Sequence, residues 1–300
     1  MHWIPGRRYA GGRLRLTGQV STAIALAWLL AACSGGSPSG HVPTPAASPP
    51  TTPAGSRPSW LLTRAALSQV AGDDQVRETL ADSPLYELLQ PGQQPLPGIS
   101  ADLVITYSSA AALERAVEGG QVPAGTYGVL YDPEAWAYTP TAEQQDPVAA
   151  ATKAAATAHA HGLRFLVAPA LNLTTVLAPG SGSRSQTFLR LGLIGQLAKV
   201  ADVVELQAQS LERDTAAYAS FVSAATSQAT AAHPGITVLA GLSTNPPGAA
   251  VTTQLLLSAI AATRSVVGGY WLNVPGQGPR CPTCNASRPD IAIQTLQRLG

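Results

Sequence analysis

The chain has 300 residues, of which only 12% are charged, and its 18 Lys and Arg nearly balance 17 Asp and Glu. Setting aside residues 1–32 removes four of the basic residues and none of the acids, which leaves a formal charge of −3. That balance excludes the basic surface that nucleic-acid binding requires.

Taken in chain order, the first feature is a processing signal. Arg7, Arg8, Arg13 and Arg15 precede an apolar run at residues 20–30 (VSTAIALAWLL), too short to cross a bilayer comfortably, and LAAC follows at 30–33. The small residues Ala31 and Ala32 ahead of Cys33 resemble the bacterial lipobox. That resemblance implies a lipidated Cys33 as mature amino terminus, a membrane anchor and an extracytoplasmic location. Residues 33–59 are rich in Ser, Pro, Thr and Gly and carry almost no bulky apolar side chain, so they read as a disordered tether. About 240 residues remain, 60–300, the size of one (β/α) barrel domain.

Within them, residues 60–97 (WLLTRAALSQVAG, SPLYELLQ) read as mainly helical and predict an amino-terminal cap or a replacement for missing barrel units. Thereafter short apolar strands alternate with Ala-rich helices. Strands are expected at 101–107, 127–132, 163–170, 203–209, 237–242 and 268–273; helices at 110–118, 147–161, 186–199, 214–233, 252–264 and 290–299. Such alternation implies a parallel sheet with right-handed crossovers. Six strands fall short of the eight of a closed barrel, so an irregular or incomplete TIM-like barrel competes with an open doubly wound sheet. The stretch VVELQAQ favours the barrel. Glu205, Gln207 and Gln209 share one face by the period of two, and a sheet covered by helices on both faces would deny those side chains water.

Barrels of this kind build their sites at the carboxyl ends of the strands. Those ends supply Ser108 and Ser109; Asp132, Glu134 and Trp136; Asn172; Glu205, Gln207 and Gln209; Ser243, Thr244 and Asn245; Trp271 and Asn273. Histidine is missing from this set, since His159, His161 and His233 fall at helix ends, His41 in the tether and His2 in the signal. A metal triad or a Ser-His-Asp relay therefore lacks its parts, and the strand ends imply neither metal nor cofactor. Carboxylates, amides and indoles are the kit that holds sugars, because an indole stacks on a pyranose face, amides bond hydroxyls and paired carboxylates cleave glycosidic bonds.

The alternation, YDPE at 131–134, ELQAQ at 205–209 and GYWLN at 269–273 resemble glycoside-hydrolase-like TIM barrels of exported bacterial proteins, over roughly residues 100–280. Chitinase-type members carry a longer acidic signature ending in a catalytic Glu; here only Asp132-x-Glu134 stands. The resemblance implies Glu134 or Glu205 as general acid, with Asp132 or the other Glu as nucleophile or electrostatic partner. It also implies Trp136 and Trp271 as stacking platforms and Asn172, Gln207, Asn245 and Asn273 as hydroxyl ligands, with Gln209 alongside them. The partner would be carbohydrate, a cell-envelope glycan among the choices, and the alternative is a non-catalytic carbohydrate- or protein-binding barrel. Simpler roles stay open: Asp132 capping the turn at Pro133, Glu205 paired with Arg164, and both indoles as packing. Cys281 and Cys284, in CPTC, most simply form a short-loop disulfide in an oxidising compartment; a redox role would need a reactive thiol pair.

Overall fold

The computed structural model describes residues 57–246, 251–278 and 281–300. The signal, Cys33, His2, His41 and most of the tether lie outside the described residues.

Eight parallel strands close into a barrel in sequence order: β1 (Ser59–Thr63), β2 (Leu85–Leu89), β3 (Asp102–Tyr107), β4 (Gly128–Tyr131), β5 (Arg164–Val167), β6 (Val203–Leu206), β7 (Thr237–Ser243) and β8 (Gly269–Asn273), with β8 pairing back onto β1 through Ser59 and Gly269. The helices are α1 (Arg64–Val70), α2 (Asp74–Ala81), α3 (Ala110–Glu118), α4 (Thr141–Gln145), α5 (Pro147–Ala160), α6 (Thr174–Leu177), α7 (Arg184–Leu191), α8 (Leu193–Ala198), α9 (Thr215–Ala232), α10 (Thr253–Thr263) and α11 (Pro289–Gln297). The fold is thus a closed eight-strand (β/α) TIM barrel, irregular in that β2 leads to β3 without an intervening helix.

Three sequence expectations need correction. Residues 60–97 do not cap the barrel but supply β1 and β2, which close it. SWLLT and LYELL are five-residue apolar runs built partly from good helix formers, and periodicity cannot sort such runs. The helix expected at 186–199 is two helices, α7 and α8, because Gly192 sits at φ 62°, a left-handed conformation suited to glycine that ends one helix and starts the next. The strand expected at 203–209 stops at Leu206. Gln207 makes one further bridge to Ala170, and residues 209–211 curl into a 3₁₀ turn.

Alternation along the strands produces two apolar shells. Leu61, Leu88, Val104, Leu130, Leu166, Val203, Leu239 and Trp271 fill the lumen. Val129, Tyr131, Phe165, Val167, Val204, Leu206, Val238 and Ala240 face the helices. Good caps fix the helix starts: the side chains of Thr63, Asp73, Ser109, Asp146, Asp214 and Thr252 each accept a backbone N–H of the first turn.

Candidate functional site

The inward set of β4 runs from Leu130 to Asp132, and that of β6 from Val203 through Glu205 to Gln207, so the apolar lumen turns polar at its carboxyl end. Strand-like bonding continues past β4, with Asp132 N donating to Tyr107 O and Ala170 N to Pro133 O, and this fixes the acid-bearing turn. Asp132 is buried, and the Gln207 amide donates both to its Oδ1 at 2.7 Å and to Ala168 O at 2.8 Å, joining β4, β5 and β6 at their tips. Two residues on, Glu134 accepts from Asn172 Nδ2 at 3.1 Å, while Asn172 Oδ1 accepts from Ala135 N at 2.8 Å. Asn172 thus braces the Glu134 turn from the 3₁₀ turn after β5.

Glu205 lies deeper. It is 1% exposed, and neither carboxyl oxygen has a hydrogen-bond partner among the described residues. Burial first, then the charges of Asp132 and Glu134, raise its pKa well above the ordinary 4.5 and favour the neutral form. The neighbouring strand makes room for it with Gly241. A Cβ there would stand 2.6 Å from both Glu205 Oε1 and Gln209 Nε2. Gln209, reached through a turn and not a strand, still arrives beside Glu205.

Above these groups opens a cleft of about 350 Å³ at the carboxyl ends of the strands. Glu134, Trp136, Asn172, Gln207, Gln209 and Asn273 line it, together with Arg184, Ser210, Ser243 and the Cys281–Cys284 disulfide. Trp136 stands edge-on to Tyr138, ring centroids 5.0 Å apart, and Tyr138 is 47% exposed. The pair forms an aromatic rim beside the acid-bearing turn. A second cleft, of about 460 Å³, opens near the amino ends of β2 and β3 against α2; it contains none of the residues singled out in the sequence.

Several singled-out residues sit elsewhere than a sugar site needs them. Trp271 is 7% exposed and packs in the lumen with Leu61 and Leu239, away from the cleft lining, with its indole N–H unpartnered. Asn245 spends its amide on the carbonyls of Pro275, Asn285 and Ala286 and so anchors the β8 loop that carries the disulfide. Arg164 does not pair with Glu205. It lies at the opposite end of β5, where Asp202 accepts from it at 2.8 Å and also bonds His159.

Four residues escaped sequence reasoning. Glu212, fully buried, accepts from Ser243 N with Oε2 while Oε1 has no partner among the described residues, and burial pushes its pKa up to about 9. Glu143 binds the amino end of α3. Arg184 brings a guanidinium to the cleft, and Tyr138 completes its rim. Only Tyr138 carried a local signal, as the second aromatic of AWAY.

No family model matches the chain, and no curated protein matches it. Among solved structures, a chitinase from Chromobacterium violaceum is 12% identical, covering 80% of this chain and 99% of its own at a TM-score of 0.44. The catalytic domain of a family GH18 chitinase from the fern Peteris ryukyuensis is 19% identical, with 75% and 77% covered and a TM-score of 0.40. A triosephosphate isomerase from Bartonella henselae is 13% identical, with 72% and 92% covered and a TM-score of 0.38. The cleft's own residues carry what can be said of its activity.

Proposed function

We propose that this protein engages a carbohydrate chain in the strand-end cleft and hydrolyses it with Glu134 as the acid that meets the glycosidic oxygen. One observation carries the reading. Of the three carboxyl groups that interact at the lumen mouth, only Glu134 lines the cleft, and it stands among an indole and four primary amides, with the Tyr138 phenol edge-on to that indole. Trp136 and Tyr138 supply apolar faces for a pyranose, while Gln207, Gln209 and Asn273 offer donors and acceptors to its hydroxyls. Asp132, two residues from Glu134 and held by Gln207, is the second carboxylate that glycoside hydrolysis asks for, and Glu205 beneath keeps its proton.

The same proposal places the barrel outside the cytoplasm, tethered through a lipidated Cys33. The basic, apolar and small-residue segments before that cysteine support it, and the Cys281–Cys284 bridge suits an oxidising compartment.

The test is a panel of oligosaccharides, including N-acetylated and cell-envelope glycans, assayed for both hydrolysis and binding. Hydrolysis by the native protein that Glu134→Gln removes, with binding kept, supports catalysis. Binding without turnover supports the second reading, a sugar-holding barrel, which the buried positions of Asp132 and Glu205 favour. A protein that neither binds nor cleaves any member overturns both.

A further inference from the structure

The loop that bears Glu134 and Trp136 is followed by α4, a helix of five residues with no buried side chain. So short a helix has neither a core face nor enough internal bonds to hold its own position. Besides its junction with α5 at Asp146, two consecutive side chains tie it to its surroundings, and adjacent positions on a helix point in different directions. Glu143 points into the barrel body. Its Oε1 accepts from Ser109 Oγ at 2.9 Å and Ala111 N at 3.1 Å; its Oε2 accepts from Ala110 N at 2.7 Å and Tyr131 Oη at 3.1 Å. Two of these donors are N–H groups that the first turn of α3 leaves without intrahelical partners, where a carboxylate is also favoured by the helix dipole. Burial, and then the facing Glu143, keep the Tyr131 phenol protonated well above its ordinary range, so it remains a donor.

Gln144 points the other way. Its amide donates to Trp136 O at 2.8 Å and Thr139 O at 2.7 Å. The Thr139 hydroxyl in turn accepts from Glu134 N at 3.2 Å and from Trp136 Nε1 at 2.9 Å. Hydrogen bonds, joined by the covalent backbone between Glu143 and Gln144 and within Thr139, therefore link the start of α3 to the Trp136 indole and to the backbone N–H of Glu134, although Glu143 does not itself line the cleft.

We infer that Glu143 is a positioning residue: through Gln144 it latches the Glu134–Trp136 loop to α3 and so sets the shape of the aromatic rim. The consequence for ligand affinity rests on the carbohydrate reading; the latch itself does not. A carboxylate with four donors is worth more than a typical exposed pair, because charge-assisted bonds are the stronger class.

The full chain and its Glu143→Gln and Gln144→Ala variants, each paired with a Trp136→Phe partner, test this by acrylamide quenching. Subtracting the Phe partner isolates the signal of Trp136. Both variants are expected to raise its quenching constant by about twofold or more, as a released loop exposes its indole. Glu143→Gln should also lower the unfolding midpoint, whereas Gln144→Ala leaves the carboxylate on α3 and should barely move it. If the Trp136 signal stays unchanged in Gln144→Ala, or moves in neither variant while Glu143→Gln loses stability, Glu143 is only a cap for α3 and the latch is overturned. Should Glu143→Gln fail to fold, Gln144→Ala decides alone. For any glycan that binds the native protein, both variants should weaken binding by about tenfold, the entropic cost of ordering a loose loop. If no glycan binds, the carbohydrate reading falls, and the quenching result still judges the latch.

Discussion

Replacing Glu205 by Gln isolates the electrostatic state of the lumen. In the folded protein Glu205 is 1% exposed, without a hydrogen-bond partner among the described residues, and its pKa is shifted upward by burial and by Asp132 and Glu134. Unfolded, it ionises near 4.5. The folded state thus holds a proton that the unfolded chain has released, so its stability contribution is complete below about 4.5 and is lost as pH climbs toward the folded value. Each unit in that window costs about 1.4 kcal/mol for one such group, which is appreciable against the roughly 5–15 kcal/mol that holds a domain folded. Glu212, with a folded value of about 9, adds a similar slope. Glutamine cannot ionise, so Glu205→Gln should lose stability with pH about half as steeply as the native protein. An unpaired buried amide costs on the order of 1–3 kcal/mol, partly offset because the native acid is unpaired too. The variant should therefore be equal or weaker at pH 5 and more stable at pH 8. Guanidinium unfolding at pH 5, 6, 7 and 8 reads both slopes. Parallel curves for variant and native protein would show that folded Glu205 is ionised and would refute the reasoning.

Two further outcomes follow from the side chains that frame the barrel. Asn245→Ala strips the amide that holds Pro275, Asn285 and Ala286 at 3.0–3.3 Å, so the β8 loop should be cut faster by limited proteolysis under non-reducing conditions, with a stability loss of about 1–2 kcal/mol; unchanged cleavage counts against an anchoring role. At the other end of the barrel, burial works to raise Asp202, but bonds from Phe165 N, His159 and Arg164 outweigh it and lower the folded value below 3.8. Its contribution is present above 3.8 and fades as pH falls through the folded value, so Asp202→Asn should cost about 1 kcal/mol in urea at pH 6 and less at pH 3, and a gap that stays constant or widens sinks the assignment.

What the sequence disclosed about this barrel, and what it hid, divides along the reach of the interactions involved. β3 to β8 announce themselves because apolar runs are bounded by turn residues and followed by helices, several of them side-chain capped, all of it local. β1 and β2 do not. Whether SWLLT is a strand depends on Gly269 standing beside Ser59, some two hundred residues away, and no pattern within five residues encodes that. The polar face of ELQAQ was legible as an acid and amides aimed into a lumen, and Glu205, Gln207 and Gln209 do converge there. What period two could not tell was depth: Glu205 sits under the cleft as a neutral acid, whereas Gln209 reaches the same spot only because the chain curls after Leu206. The same limit explains why Trp271 and Asn245 looked like ligand groups. Both are polar-capable residues at strand ends, but one faces a layer of aliphatic side chains and the other a loop folded back on it. Glu143 lay beyond reach for the converse reason, since its meaning comes wholly from four donors on β4 and α3. A site assembled from turns of several strands is specified by which loops meet, so local pattern can nominate its chemistry while only closure of the barrel decides which acid touches the ligand, which keeps a proton and which holds the others in place.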